Sequence, residues 1–196
     1  MTIRAVPFTN NGNFISERAF NEHMKLYANY VNKTNEIFHE LSDYHCQCRG
    51  QANKTMSMFR ELKRGESYAM DGVILHELYF GNISKNGQKP GPLFTNMVNR
   101  YFNDMEHFMQ DFVACATAAR GWCVTAYEQR TDTMRNILLD SHDDGNITSA
   151  YPILVLDMYE HAYMIDYGVD VAEYIRRFTE NIRWDEIEQR LRRLPD

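Results

Sequence analysis

The chain reads as an α+β protein, and three observations carry that reading. Apolar residues recur at helical spacing through its first half; a run of turn formers, SKNGQKPGP at residues 84–92, then interrupts it; and three short β-prone runs follow before the chain returns to helical periodicity. Helices, a small sheet and helices again, in that order, point to segregated α and β layers rather than alternating βαβ units.

The first helix is expected over residues 17–42, where Phe20, Met24, Tyr27, Tyr30, Val31 and Ile37 mark one face and Ser16 is placed to cap the start. After a polar bend that contains cysteines, residues 51–62 read as one helix and residues 70–79 as another that carries His76. The turn-rich run 84–92 is the expected boundary between two lobes, residues 1–88 and 89–196. Beyond it, residues 93–119 read as a helical stretch with Phe102, Met105, Phe108, Met109 and Phe112 on its apolar positions, a core-forming stripe. WCVTAYEQ, MRNILLDSH and PILVLDMY are the three β-prone runs, and residues 171–178 and 184–194 close the chain as helices.

With 196 residues, 44% of them apolar, the chain is long enough to bury a core without staples. A net charge of −6 argues against nucleic acid as the partner, since phosphate binding needs a clustered excess of Lys and Arg. No apolar run reaches bilayer-spanning length and the N-terminus lacks the apolar run of a secretory signal, so neither membrane nor secretion is expected, and the reading is cytoplasmic. Four cysteines, Cys46, Cys48, Cys115 and Cys123, fit reduced thiols better than a disulfide framework. A zinc clip from His39, His45, Cys46 and Cys48 is the sharper alternative, but Cys-x-Cys is not the usual knuckle spacing.

Most histidines in proteins are surface or hydrogen-bonded core residues, so a cluster is what counts. PILVLDMYEHAYMIDY puts Asp157 at the end of an apolar strand and His161 four residues later. A buried carboxylate is costly unless something cationic meets it. His23, on the first helix, and His76, among Val73, Ile74, Leu78 and Phe80, both lie in apolar surroundings and could face one interior site with that pair. One Asp and several imidazoles suit iron, manganese or zinc. The zincin pattern is absent, because His76-Glu77 and His39-Glu40 each lack a second His four residues on.

At this point the sequence resembles the iron/manganese superoxide dismutases. The family motif Asp-x-Trp-Glu-His-Ala-Tyr appears as Asp157-Met158-Tyr159-Glu160-His161-Ala162-Tyr163, followed by Met164-Ile165-Asp166-Tyr167. Leu75-His76 through Tyr79-Phe80 is similar to the segment Asn-His-x-x-Phe-Trp, and the turn Lys89-Pro90-Gly91, the stretch from Phe108 to Gly121-Trp122, and Asn181-Ile182-Arg183-Trp184 fall in register. His23 and Tyr30-Val31-Asn32 resemble the first ligand and the gateway tyrosine.

The resemblance implies a helical hairpin lobe packed on an α+β lobe with a three-stranded antiparallel sheet flanked by helices. One iron or manganese ion per subunit would lie between the lobes, held by His23, His76, Asp157 and His161. It implies an enzyme that disproportionates superoxide to oxygen and hydrogen peroxide by metal redox cycling. The alternative is a protein of the same fold that binds metal or serves structurally without that activity; a zinc hydrolase is disfavoured because no separate general base is apparent. A homodimer is implied, in which Glu160 of one subunit bonds His161 of the other.

The family supplies a glutamine to the metal's solvent from either of two places. Here the first is Gly72 and the second is His142, in Asp140-Ser141-His142-Asp143. The resemblance therefore makes His142 the hydrogen-bond donor and Tyr30 the gateway hydroxyl, with Trp122 and Tyr159 as the apolar wall. A histidine there inclines the reading towards iron. Four departures are visible: His23 and Tyr30 are seven residues apart rather than eight; Tyr27 replaces a second histidine of the first helix that normally meets the partner subunit; Tyr159 replaces tryptophan; and Val171-Ala172 replaces an Arg-Pro pair. Loss of that arginine removes an element of substrate guidance, so activity below that of typical members is expected.

Overall fold

The computed structural model describes residues 2–10, 13–43, 47–84 and 88–194. Ser16 opens α1 (Glu17–Ser42) by accepting a hydrogen bond from the Ala19 amide, and the helix runs 26 residues without a break. It buries Phe20, His23, Tyr27, Val31 and Ile37 on one face, as the periodicity predicts. A short 3-10 turn at Gln47–Arg49 leads towards α2 (Met58–Gly81). This is one helix, not the two expected over 51–62 and 70–79. Residues 51–56 instead form a turn in which the Asn53 carboxamide accepts from the Thr55 and Met56 amides, and Ser57 caps the helix through the Arg60 amide. Gly65 sits inside the helix without ending it.

The expected stretch 93–119 is two helices, α3 (Pro92–Tyr101) and α4 (Met105–Ala118). Asn103 between them has φ 82°, a left-handed conformation that stops the first, and Asp104 caps the second by accepting from the His107 amide at 2.9 Å. Phe108 and Phe112 are fully buried. At the start of α3 the Glu188 carboxylate accepts from the Leu93 and Phe94 amides, at 3.3 and 2.8 Å. A Cβ at Gly91 would lie 2.3 Å from that side chain, so only glycine lets it in.

Strands β1 (Trp122–Glu128), β2 (Thr133–Leu139) and β3 (Ala150–Asp157) form an antiparallel sheet in the order β2-β1-β3. Register places Trp122 opposite both Leu139 and Asp157, which brings the start of β1 and the end of β3 to one edge. The chain finishes with α5 (Glu160–Tyr167), α6 (Val171–Glu180) and α7 (Trp184–Leu191). Of these, α5 was not marked as a helix by the periodicity, being eight residues long with only Ala162 buried and no side-chain cap.

Helices α1 and α2 pack on each other; α1 also packs on α5, and α2 on β3. An isolated bridge between Ile83 and Ile182, with the Ser84 amide bonded to the Asn181 carbonyl at 2.8 Å, ties the end of α2 to the loop before α7. Arg190 of α7 reinforces that tie: it donates to the Asn82 side chain at 2.6 Å, the Ile153 carbonyl at 2.9 Å and the Leu78 carbonyl at 3.0 Å. The four elements α1, α2, β3 and α5 therefore surround one interior point.

Candidate metal centre

At that point the last residue of β3, Asp157, is fully buried. Its Oδ1 accepts from the Tyr159 amide at 2.9 Å, and its main-chain carbonyl accepts from the Tyr174 hydroxyl at 2.7 Å. The first bond orients the carboxylate so that Oδ2 faces the helices, and the second anchors the backbone that carries it. His161 Nε2, in the first turn of α5, and His23 Nε2, from α1, each lie 3.1 Å from Oδ2; His76 Nε2, from α2, lies 3.7 Å away. One potential ligand atom from each of the four residues falls within 4.8 Å of all the others.

The hydrogen-bonding state of His76 shows which nitrogen is available. Its Nδ1–H donates to the Gly72 carbonyl at 2.6 Å, which leaves the lone pair on Nε2, and that buried atom has no hydrogen-bond partner among the described residues. Burial is the main cause that holds His76 neutral, lowering its pKa to about 3, and it likewise lowers that of His23 against the opposing hydrogen bond to Asp157. Burial would raise the Asp157 carboxyl, but the charge and hydrogen bond of His161, then those of His23, outweigh it and hold the group below the usual carboxylate range. Burial disfavours protonation of two of the imidazoles the carboxylate faces, His23 and His76, so the protein supplies it little positive charge, and an orphaned lone pair points at the same place. A cation answers both, and three imidazoles with one carboxylate fit iron or manganese. His23 departs from the usual arrangement in one respect: its Nδ1 is buried without a hydrogen-bond partner, where metal-binding histidines normally pass that proton to an acceptor.

Around this cluster stand the other residues singled out by sequence. His142 is fully buried just beyond β2. Its Nδ1 accepts from the Trp122 indole N–H at 2.9 Å, so Nε2 carries the proton, and this buried N–H also lacks a partner. Its ring centroid is 5.9 Å from that of His76 and 4.7 Å from that of Tyr30. A Cβ added at Gly72 would meet the Tyr30 ring at 3.0 Å and the His142 ring at 3.3 Å, so these two rings occupy the room that a longer residue at position 72 would need.

Tyr30 is half-buried, 5.3 Å from His76 by ring centroids, and burial followed by hydrogen bonding with Tyr68 pushes its hydroxyl pKa up. The seven-residue spacing from His23 is accommodated simply. Seven residues are nearly two turns of a regular α-helix, and α1 stays regular throughout, so both side chains reach one face without a bulge. Tyr159 packs edge-on to Trp122, at 6.2 Å, and stacks on His161 at 5.3 Å. Tyr27 turns inward: its hydroxyl donates to Glu77 at 2.7 Å and accepts from the Val6 amide at 2.9 Å.

Tyr68, which sequence reasoning missed, belongs to the same group, its ring 4.6 Å from that of His142. A signal for it exists, because Tyr68, Gly72 and His76 follow one another at intervals of four on a single helix face. As for the zinc clip, His39 is exposed and Cys48 buried, while His45 and Cys46 lie outside the described residues.

A helical hairpin packed on a three-stranded α+β unit, with three imidazoles and a carboxylate converging where they could hold one metal ion, defines the class of protein. Residues 90–190 match the family model described as iron/manganese superoxide dismutases, C-terminal domain. The chain is 34% identical over 178 residues to the superoxide dismutase [Fe] of Aquifex aeolicus, covering 90% of this chain and 84% of that protein. It is 31% identical over 168 residues to the superoxide dismutase [Fe] of Cupriavidus metallidurans, covering 84% and 82%. With the superoxide dismutase [Mn] 1 of Halobacterium salinarum it shares 36% identity over 120 residues, 61% of this chain and 60% of that one. The chain belongs to the iron/manganese superoxide dismutase family.

Proposed function

We propose that this protein is a superoxide dismutase whose metal is held by His23, His76, Asp157 and His161. The observation that carries the reading is the convergence of these four side chains, with a buried lone pair on His76 Nε2 that no described residue satisfies. Iron or manganese bound there would supply one-electron redox chemistry, taking an electron from one superoxide and giving it to the next, with oxygen and, after two protons, hydrogen peroxide as products. The remaining work belongs to the chain. Asp157 balances positive charge in the site, and the Tyr159 amide on its Oδ1 keeps the carboxylate from rotating away. His142 is held in one tautomer by Trp122 and offers its Nε2–H as a donor to an oxygen in the site. Tyr30 keeps its proton, because burial disfavours the phenolate, and so serves as a hydroxyl gateway.

Iron is the favoured metal. The relatives named for iron that are cited above match over most of this chain, whereas the manganese-named one matches over about six-tenths of it. The functional unit in this reading is a homodimer joined by Glu160 and His161. Residues 1–88 form its helical lobe and residues 89–196 its α+β lobe, and reduced Cys48, Cys115 and Cys123 suit a cytoplasmic setting. The test is to load the metal-free protein with iron or with manganese, measure stoichiometry, and follow superoxide decay directly. About one ion per chain with catalytic decay is expected; stoichiometric metal with no catalysis would overturn the reading.

A further inference from the structure

The His142 imidazole is boxed by aromatic rings, and one of them belongs to a residue without an assigned part. Centroids of Tyr68, Tyr30, Tyr159 and Trp122 lie 4.6, 4.7, 5.3 and 5.7 Å from that of His142. Three of these side chains are buried or half-buried, whereas Tyr68 is 39% exposed and forms the outer wall. It also separates two surface pockets. One of about 390 Å³ is lined by Tyr30, Lys33, Ile37 and Tyr68, and the other, of about 410 Å³, by Arg64, Tyr68, Ser141 and Asp143. Tyr68 thus stands at the mouth with solvent on both sides and the inner aromatic residues behind it.

The Tyr68 ring also lies beside that of Tyr30, with centroids 6.2 Å apart. We propose that Tyr68 is the outer gate of this site, a positioning residue whose ring closes the aromatic box over His142 and screens it from solvent. The inference rests on the dismutase reading for its purpose, while its geometry stands apart from it.

Two variants separate the ring from the hydroxyl. In metal-free protein carrying Trp184→Phe, the remaining indole is Trp122, behind the gate. Iodide quenching of its fluorescence should rise several-fold in Tyr68→Ala and stay unchanged in Tyr68→Phe. Rescue by phenylalanine would mark the ring, not the hydroxyl, as the element that closes the box. Unchanged quenching in Tyr68→Ala overturns the gate. Wild-type protein without dismutation would instead unseat the functional reading and leave the quenching result to decide the gate.

Discussion

Position 72 has no side chain to offer the site, and the space is taken by the rings of Tyr30 and His142. His142→Ala should leave fold and metal content nearly intact yet reduce turnover about 10- to 100-fold, the usual range for outer partners of a metal site. His142→Gln should keep more activity and change the preference between iron and manganese; equal rates for wild type and the Ala variant would show that the site is served by another donor. The ligands give a harder outcome. Asp157→Ala or His161→Ala should leave purified protein without metal, and full occupancy in either variant would refute the assignment. A third consequence follows from the buried neutral imidazoles. His76 and His142 titrate near 3 and 4 in the native protein, both through burial first, against an ordinary value of 6.5. Below about pH 6.5 the unfolded chain takes up protons that the native chain refuses, so metal-free protein should lose stability progressively between pH 6.5 and about 4. Below that, protonation of Asp157 continues the loss, since its pKa is lowered on folding. Urea midpoints measured across this range check the sign, and a midpoint that rises with acid would contradict it.

Among the elements, the strength of the local signal decided what could be read from sequence. The first helix is legible to the residue because Ser16 caps it and its apolar face repeats without interruption. The split of 93–119 was hidden, since the break depends on the backbone of Asn103 and the cap of Asp104 inside an unbroken apolar stripe. The joining of α2 was missed for the opposite reason: the polar stretch Lys63–Arg64–Gly65–Glu66–Ser67 looks like a linker but continues a helix whose buried residues begin farther along, at Ala69. Asp157 and His161, which the fold brings together with His23 and His76, stand out on a short motif, whereas Tyr68 does not, because its ring neighbours come from other elements. The same logic makes Arg190 an element-scale test. It holds the end of α2, β3 and α7 together through three hydrogen bonds from one largely buried guanidinium. Arg190→Ala should destabilise the protein by about 3 kcal/mol, in line with charged hydrogen bonds of about 1.5–3 kcal/mol each and partial relaxation. A loss below about 0.5 kcal/mol in chemical denaturation, the scale of an ordinary surface change, would show that the tie is dispensable.

For the whole molecule the open face of α5 matters most. A net charge of −6 repels an anionic substrate at long range, and Val171-Ala172 contributes no cation to offset it. The other side of the same site is what a partner chain would cover. Glu160 is exposed, the His161 side chain is still 28% exposed although it reaches a buried carboxylate, and Met164 and Ile165 on the same helix are exposed apolar residues. A two-fold dimer built on this helix would shelter those side chains and pair Glu160 of each subunit with His161 of the other, an isologous contact that forms twice. It would also fix the ring of a metal ligand, the arrangement that outer carboxylates commonly provide. Glu160→Ala should therefore act on assembly and metal together. Removing one member of a buried, hydrogen-bonded charge pair costs about 2–5 kcal/mol, enough to dissociate a micromolar dimer at working concentrations. Light scattering should show the shift towards monomer, and competition with a chelator should show metal held about 10- to 100-fold more weakly. Wild-type protein that scatters as a monomer, or a variant that stays dimeric with unchanged metal affinity, would rule out this contact as the bridge between subunits.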